Sequence, residues 1–298
     1  MRESELGIKR VKESYTVFQT DEKTFDYEEW LIDCINQTEA KIFIMDMRDV
    51  LTRKELKQIK KKTGIKVVTI DDPEDKRLES DLAFYPPIPQ IEKMNWEGFK
   101  GKLCIGWEYV IIRKEFAITY PKTKNRIPHI LVSMGGSDEK NMTRFVIEAL
   151  EELDENFKVS IITGSGYQFT NELKNILKFV KYPYELFKDP LNVAEIMSLV
   201  DLAIISFGVT AYELASLNIP TLYLCLSSDH EESSLLFEKE GIGESMGLFS
   251  AIEKQKYVQG LSSIIWKQNK INKMCEKFSS IKISNLKKIS NSIINYSV

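Results

Sequence analysis

Short apolar runs alternate with segments of helical periodicity through most of the chain. In the first half, the pattern predicts helices at 25–37 and 53–63 and strands at 41–45, 65–70 and 81–84. The second half repeats the alternation, with strands predicted at 129–133, 158–162, 184–187, 202–205 and 221–226. Helices are predicted between these strands, and two or more follow from Ala251 onward. Alternation of strand and helix is typical of parallel sheets, so the pattern predicts an α/β fold.

A polar stretch with two prolines, Tyr120–Pro128, interrupts this alternation and is typical of a linker. A chain of 298 residues is long enough for two domains of ordinary size. We therefore predict one α/β domain at 1–120 and a second at 128–298 that ends in a helical tail.

Three turns that contain glycine follow predicted strands of the second half: Gly135-Gly136-Ser137, Gly164-Ser165-Gly166 and Gly208-Val209-Thr210. Because parallel strands end at one edge of a sheet, where ligands bind in open α/β folds, we expect these turns to share a site. Thr210 would be the N-cap of a helix predicted at 211–217, and the free N–H groups there would attract a phosphate. Glu213 lies one turn further on, within reach of a sugar hydroxyl. The alternative, a capped helix with a solvated Glu213, stays open on this turn alone.

Composition and missing motifs reduce the classes of ligand that the site could bind. The chain has no GxxxxGK[ST] sequence, which excludes a P-loop, and no GxGxxG, which argues against NAD. A net charge of −3 gives no strong field for nucleic acid or an anionic membrane. Four scattered cysteines and two histidines support neither a disulfide framework nor a metal site, so we expect no metal and no cofactor. No run approaches the ~20 apolar residues of a membrane helix, and we expect a cytoplasmic protein without stable membrane insertion.

Four stretches together carry a resemblance to one known family. They are Ile70-Asp71-Asp72, Gly106–Phe116 (with the pattern G-x-x-Y-x-x-x-R-x-x-F), Ile130–Asp138, and Gly208–Ala215 followed by Ile219-Pro220-Thr221. The chain resembles the UDP-2,4-diacetamido-2,4,6-trideoxy-β-L-altropyranose hydrolases of pseudaminic acid biosynthesis and the related spore-coat polysaccharide proteins (PseG/SpsG-like). The resemblance covers roughly residues 40–250. It implies a GT-B-like fold, with two Rossmann-like domains whose parallel sheets face each other over a cleft that holds a UDP-sugar.

The resemblance also implies which residues of the second domain bind UDP. Those expected at the diphosphate are Gly135, Gly136, Ser137, Gly164, Gly208, Val209 and Thr210. The last three would donate backbone N–H groups, and Glu213 would bind the ribose hydroxyls.

Three candidate catalytic residues would orient the attacking water, and each has a competing structural role. Asp72, like its neighbour Asp71, is also suited to capping the turn that follows. Tyr109 could instead pack between the domains, together with Trp107. His230 falls where the family carries a polar residue that faces the sugar or phosphate, but as a bare sequence feature it is a surface histidine.

The chain departs from the family near its beginning. The family opens with a strand and a G-x-G-H-x-x-R corner whose His is the expected catalytic residue, and this sequence has neither. Asp46-Met47-Arg48-Asp49 also stands where the family often carries a Tyr. We therefore expect a shortened first domain, either because the chain is part of a longer protein or because the domain is rebuilt.

Three functions stay open from the sequence. The first is a UDP-sugar hydrolase of nonulosonic acid (pseudaminic acid) or surface polysaccharide biosynthesis. The second is a GT-B glycosyltransferase that uses a UDP-sugar donor and an unidentified acceptor. The third is a non-catalytic nucleotide-sugar binder, which the missing G-x-G-H corner favours. In each case we expect a UDP-sugar as the small-molecule partner and no nucleic acid, and the oligomeric state is left open.

Overall fold

The computed structural model describes residues 15–18, 26–46, 50–121, 127–283 and 286–297. Residues 47–49, where the family often carries a Tyr, lie outside these ranges. The described residues divide by compactness into two units. The first holds the residues up to Phe84, Asn95–Cys104 and the chain end from Ser292, and the second holds Tyr85–Met94 and Ile105–Asn291. The ranges 1–120 and 128–298 stay a prediction for the domains, and by compactness 85–94 and 105–120 group with the second half.

The first half of the chain builds a four-stranded sheet in the order β1-β2-β3-β4. Its strands are β1 (Ile42–Met45), β2 (Lys66–Ile70), β3 (Leu82–Tyr85) and β4 (Lys102–Ile105). β2 pairs in parallel with both β1 and β3. Helices α1 (Tyr27–Thr38) and α2 (Arg53–Thr63) bury a shared apolar cluster with these strands. The predicted bounds of α2 are confirmed, because Thr52 and Glu55 form a capping box at its start and Gly64 ends it with a φ of 69°.

One α-helix and two strands of the described residues were not predicted: helix α3 (Gln90–Lys93), β4, and β10 (Gly243–Leu248). In β4, Cys104 is the one buried residue, and the apolar run Leu103-Cys104-Ile105 is only three residues long. β10 contains two glycines and a glutamate, and five of its six residues are half-buried. Both missed strands lie at the edge of a sheet, and neither presents a long buried apolar run.

The second half builds a six-stranded parallel sheet in the order β10-β9-β8-β5-β6-β7. The five strands before β10 are β5 (His129–Ser133), β6 (Lys158–Thr163), β7 (Tyr184–Lys188), β8 (Leu202–Ile205) and β9 (Thr221–Cys225). Counted from β5, this is the doubly wound order 3-2-1-4-5-6 of the Rossmann fold. The α/β fold with parallel sheets is therefore confirmed.

Helices cover this sheet and continue into the tail. They are α4 (Met142–Glu151), α5 (Thr170–Leu177), α6 (Val193–Ser198), α7 (Val209–Ser216), α8 (Ser228–Lys239), α9 (Lys254–Ile265), α10 (Gln268–Lys277) and α11 (Lys287–Ser297). Over the ranges that the structure describes, none of the helices is both long and apolar enough to cross a membrane.

The central strands of the second sheet are buried on both faces. In β8, Leu202 and Ile204 belong to one apolar cluster, whereas Ala203 and Ile205 belong to another. Alternate side chains of a strand point to opposite faces, so one strand contributes to two cores. This explains why these strands read in the sequence as continuous apolar runs. The carboxyl ends of β5 and β8 lie side by side at the centre of the sheet.

Candidate functional site

The three glycine turns meet at the carboxyl edge of the second sheet. A Cβ placed on Gly164, after β6, would lie 2.4 Å from the carbonyl oxygen of Gly136, after β5. A Cβ on Gly135 would lie 3.6 Å from Oγ of Ser206, after β8. β5 and β8 are the neighbours at which the strand order reverses, which is where open α/β sheets bind ligands. The predicted convergence of the three turns is confirmed, and their binding of UDP stays a prediction.

The rim formed by these turns is not filled by side chains. Gly135, Gly136 and Ser137 are exposed. A Cβ on Gly136 or on Gly208 would meet no heavy atom within 4 Å. Gly208 has a φ of 166°, which is extended backbone that any residue adopts. Neither packing nor backbone conformation of the described residues therefore requires glycine at position 136 or 208. Each of these two glycines leaves open space in front of the backbone.

Helix α7 begins earlier than predicted, and Thr210 is not its N-cap. Gly208 is the N-cap, Val209 is the first helical residue, and no side chain caps the start of the helix. The N–H of Ala211 bonds the carbonyl of Gly208 at 2.9 Å, which closes the first turn two residues ahead of the predicted start. Among the described residues no side chain caps the N–H groups at Gly208, Val209 and Thr210, which makes this helix start a potential anion site.

The helix start after β5 is already occupied. The carboxylate of Asp138, which is 7% exposed, accepts from the N–H of Met142 at 2.8 Å and from that of Thr143 at 2.9 Å. Burial raises the pKa of Asp138, and these hydrogen bonds act in the opposite direction. An anion at α4 would have to displace this carboxylate, so of the two helix starts beside the β5–β8 junction, α7 is the open one.

Glu213 lies one turn into α7, and its side chain is 5% exposed. Its Oε1 accepts from Nε of Arg113 at 2.8 Å. Side chains of a helix tilt toward its N-terminus, so this carboxylate leans toward the rim. The alternative that the sequence left open, a solvated Glu213, is not what the structure shows, because Arg113 allows the carboxylate to be buried as an ion pair.

His230 lies in the first turn of α8, and its ring centroid is 6.2 Å from that of Phe207 in the turn that leads to α7. It is half-buried, and its Nδ1 has no hydrogen-bond partner among the described residues. Burial lowers the pKa of His230 below its usual value. Its placement against Phe207 puts an imidazole beside the β8–α7 turn, which a histidine in a remote surface loop would not do.

Tyr109 lies in a short 3-10 turn whose first residue, Trp107, contacts the two helices next to the rim. The Trp107 ring centroid is 5.8 Å from that of Tyr212 in α7 and 4.9 Å from that of Phe237 in α8. Trp107 therefore packs within the second unit. A catalytic role for Tyr109 stays a prediction.

Asp72 belongs to the first unit and makes the turn contact that was its alternative role. Its Oδ1 accepts from the N–H of Glu74 at 2.9 Å. The preceding Asp71 has a φ of 49°, and its N–H bonds the carbonyl of Phe84 at 2.9 Å. Both aspartates thus shape the end of β2, and a catalytic role for Asp72 also stays a prediction.

Two residues of this site were not assigned a role from the sequence. Arg113 is part of the G-x-x-Y-x-x-x-R-x-x-F pattern, but its partner Glu213 is 100 residues away along the chain. Asp138 closes the Gly-Gly-Ser-Asp run, and its φ of 43° and the two N–H contacts show that it caps a helix. An Asp four residues before a helix was the available signal for Asp138.

A groove of about 540 Å³ lies at the opposite, amino edge of the second sheet. The carboxyl end of α7, at Ala215–Leu217, lines it together with residues that precede β8 and β9. The end of a helix carries partial negative charge, and Oδ2 of Asp201 in this lining accepts from the N–H of His129. These features disfavour a diphosphate, so the carboxyl edge is the candidate site.

Comparison with known sequences agrees with the resemblance. No family model matches the chain. The UDP-2,4-diacetamido-2,4,6-trideoxy-β-L-altropyranose hydrolase of Campylobacter jejuni is 27% identical over 232 residues, or 76% of this chain and 80% of the hydrolase. The spore coat polysaccharide biosynthesis protein SpsG of Bacillus subtilis is 22% identical over 215 residues, or 70% of this chain and 63% of SpsG. The predicted resemblance to these two proteins is confirmed.

A third relative matches a shorter segment. An uncharacterized protein of Methanocaldococcus jannaschii is 35% identical over 126 residues, or 40% of this chain. The matched region is 26% of that protein, so this chain spans about a quarter of its length. The chain also spans less than two thirds of the length of SpsG.

Solved structures show the same fold. MurG of Acinetobacter baumannii has a TM-score of 0.72 at 12% identity, covering 97% of this chain and 88% of MurG. MnaA of S. aureus with bound UDP has a TM-score of 0.63 at 14% identity, covering 94% of this chain and 81% of MnaA. The rhamnosyltransferase SpnG with thymidine diphosphate has a TM-score of 0.57 at 11% identity, covering 89% of this chain and 76% of SpnG. The GT-B-like fold class is confirmed.

Proposed function

We propose that the protein binds a UDP-sugar at the rim of the second sheet and hydrolyses it in nonulosonic acid or surface polysaccharide biosynthesis. The observation that carries this proposal is the meeting of three glycine turns beside an uncapped helix start, with a buried carboxylate one turn away. Similarity to the hydrolase from C. jejuni over 80% of its length supports the same class of reaction.

The diphosphate would lie against the start of α7. Backbone N–H groups at Gly208, Val209 and Thr210 are uncapped, and a helix start favours negative charge. The open space at Gly136 lets phosphate oxygens approach the backbone on the facing turn. Glu213 is one helical turn, about 5.4 Å, further along the axis, which separates a ribose contact from a phosphate contact.

Hydrolysis would break the bond between the anomeric carbon and the diphosphate oxygen. The oxygen of a water molecule bonds to that carbon, its proton passes to a base, and UDP leaves with the bonding electron pair. N–H groups at α7 stabilise the negative charge that develops on the diphosphate. His230 is the base favoured here, because burial lowers its pKa and keeps its imidazole neutral near pH 7.

Calorimetric titration with UDP and a UDP-release assay on a panel of UDP-sugars test this proposal. We expect UDP to bind, and at least one UDP-sugar to release UDP without an added acceptor. Release that requires an acceptor alcohol would instead indicate a glycosyltransferase, and binding without release from any sugar would indicate a non-catalytic binder. If UDP does not bind at all, the site itself is wrong.

A further inference from the structure

The buried carboxylate of α7 is held by a specific ion pair. Nε of Arg113 donates to Oε1 of Glu213 at 2.8 Å, and Nη1 of Arg113 lies 3.3 Å from Oε1 of Glu115. The pairing with Glu213 raises the pKa of Arg113, so the guanidinium stays charged throughout the neutral range. The Arg113 side chain is 49% exposed, whereas that of Glu213 is 5% exposed.

The position of Arg113 is fixed by packing as well as by charge. Its guanidinium carbon lies 5.0 Å from the ring centroid of Phe116, and Phe116 is 2% exposed in the apolar cluster that also contains Leu214. The hydroxyl of Ser216 bonds the carbonyls of Phe116 and Glu213, at 3.4 and 2.7 Å. The segment that carries Arg113 is thus attached to the same helix that carries Glu213.

This pairing leaves one carboxylate oxygen for a ligand. Oε1 of Glu213 accepts the hydrogen bond from Arg113, which leaves Oε2 as the oxygen that can accept from a ligand. The second oxygen of an ion-paired carboxylate accepts strongly from O–H donors, and a ribose presents its 2′- and 3′-hydroxyls as neighbouring donors. A 2′-deoxyribose lacks the 2′-hydroxyl and would therefore donate one hydrogen bond fewer to the carboxylate.

We propose that Arg113 is a positioning residue that fixes Glu213 for reading the ribose, and that the pair makes the site specific for ribonucleoside diphosphates over deoxyribonucleoside diphosphates. The inference rests on the proposed function, in which UDP binds along α7. Proteins of this fold have been solved with different nucleotides: MnaA with UDP and SpnG with thymidine diphosphate.

The test measures affinities for UDP and 2′-deoxy-UDP by calorimetry in the intact chain. For the wild-type protein we expect UDP to bind about 10- to 100-fold more tightly, since a hydrogen bond to a buried charge is lost with the 2′-hydroxyl. In Arg113→Met we expect UDP to bind at least about tenfold more weakly while 2′-deoxy-UDP changes little, so the ratio falls toward one. Arg113→Lys should restore part of the ratio, because an ammonium pairs with Oε1 without the planar stacking on Phe116.

A matched control is Arg144→Met. Arg144 is also half-exposed, with 44% of its side chain accessible, and it pairs with Glu148 and Glu172 in the same unit. We expect this variant to keep both affinities. Circular dichroism establishes that each variant is folded. If Arg113→Met does not fold, Arg113→Lys decides, and a ratio equal to that of the wild type would overturn the inference.

The failure of this inference is distinguishable from that of the proposed function. No UDP binding by the wild-type protein would overturn both. UDP binding with an unchanged ratio in Arg113→Met, or a wild-type protein that does not distinguish the two nucleotides, would overturn the role of the Arg113–Glu213 pair and leave the UDP site standing.

Discussion

Alanine at Gly136 or Gly208 is expected to weaken nucleotide binding without weakening the fold. A Cβ at either position meets no heavy atom of the protein within 4 Å. Replacing glycine by alanine where the backbone allows it stabilises a protein by about 0.4–1 kcal/mol through the unfolded chain. At Gly208, the poorer N-cap preference of alanine costs about 0.5–1 kcal/mol and offsets this gain. We therefore expect unfolding free energies within about 1 kcal/mol of the wild type.

The expected loss of affinity follows from what would occupy the open space. If the diphosphate lies against these two turns, a methyl group there displaces a phosphate oxygen from a backbone N–H. A hydrogen bond to a charged group contributes about 1.5–3 kcal/mol, which corresponds to a loss of about 10- to 100-fold in affinity. Calorimetric titration with UDP measures this loss, and urea unfolding measures the stability of the same preparations.

Gly164→Ala is the matched contrast, because we expect it to destabilise the fold. Its Cβ would lie 2.4 Å from the carbonyl oxygen and 2.6 Å from the Cα of Gly136, so the two turns would have to separate. Overpacking of this kind costs about 1–3 kcal/mol of unfolding free energy. Wild-type UDP affinity in both Gly136→Ala and Gly208→Ala, with the fold intact, would show that the diphosphate does not bind at this rim and would refute the reasoning.

Three further changes test the stability of the second unit. Asp138→Ala removes the acceptor of two N–H groups at the start of α4, and we expect urea unfolding to show a loss of about 1–2 kcal/mol, with no loss contradicting the capping role. Tyr257→Phe removes a fully buried hydroxyl that has no hydrogen-bond partner in the described residues, so urea unfolding should show unchanged or higher stability, and a loss above about 1 kcal/mol would contradict this. Burial lowers the pKa of His129 from 6.5, so the folded state binds fewer protons than the unfolded state, and the stability that this group contributes is complete above pH 6.5 and is lost as the pH falls below it. In His129→Gln, the dependence of the urea midpoint on pH between about 7 and 5 should become shallower, and an unchanged dependence would contradict this.

The sequence predicts the central strands of the second sheet well because they are buried on both faces. β5 and β8 have the bounds predicted from their apolar runs, and the turns after them converge as expected. It predicts less where burial is partial, so β4 and β10 were missed. The predicted start of α7 was also wrong. Thr210 in the first turn resembles an N-cap in the sequence, but Gly208 is the extended residue that precedes the helix.

The pairing of Arg113 with Glu213 could not be predicted from local pattern. Each residue lies in a segment that the sequence singles out, but only the fold brings the two segments together. A buried carboxylate needs a partner, so a Glu on an otherwise apolar helix face predicts that some cation lies nearby. It does not say which of 41 lysines and arginines that is.

The two helix starts at the β5–β8 junction differ in whether they can bind a ligand. Asp138 occupies the start of α4, so α7 would bind both parts of a nucleotide: phosphate at Val209 and ribose at Glu213, one turn apart. The two contacts should therefore respond separately. Gly136→Ala should weaken UDP and 2′-deoxy-UDP by the same factor, because it acts on the phosphate alone, whereas Arg113→Met should change their ratio. A variant set in which both changes moved the ratio equally would mean that the ribose and the diphosphate are not read independently along α7.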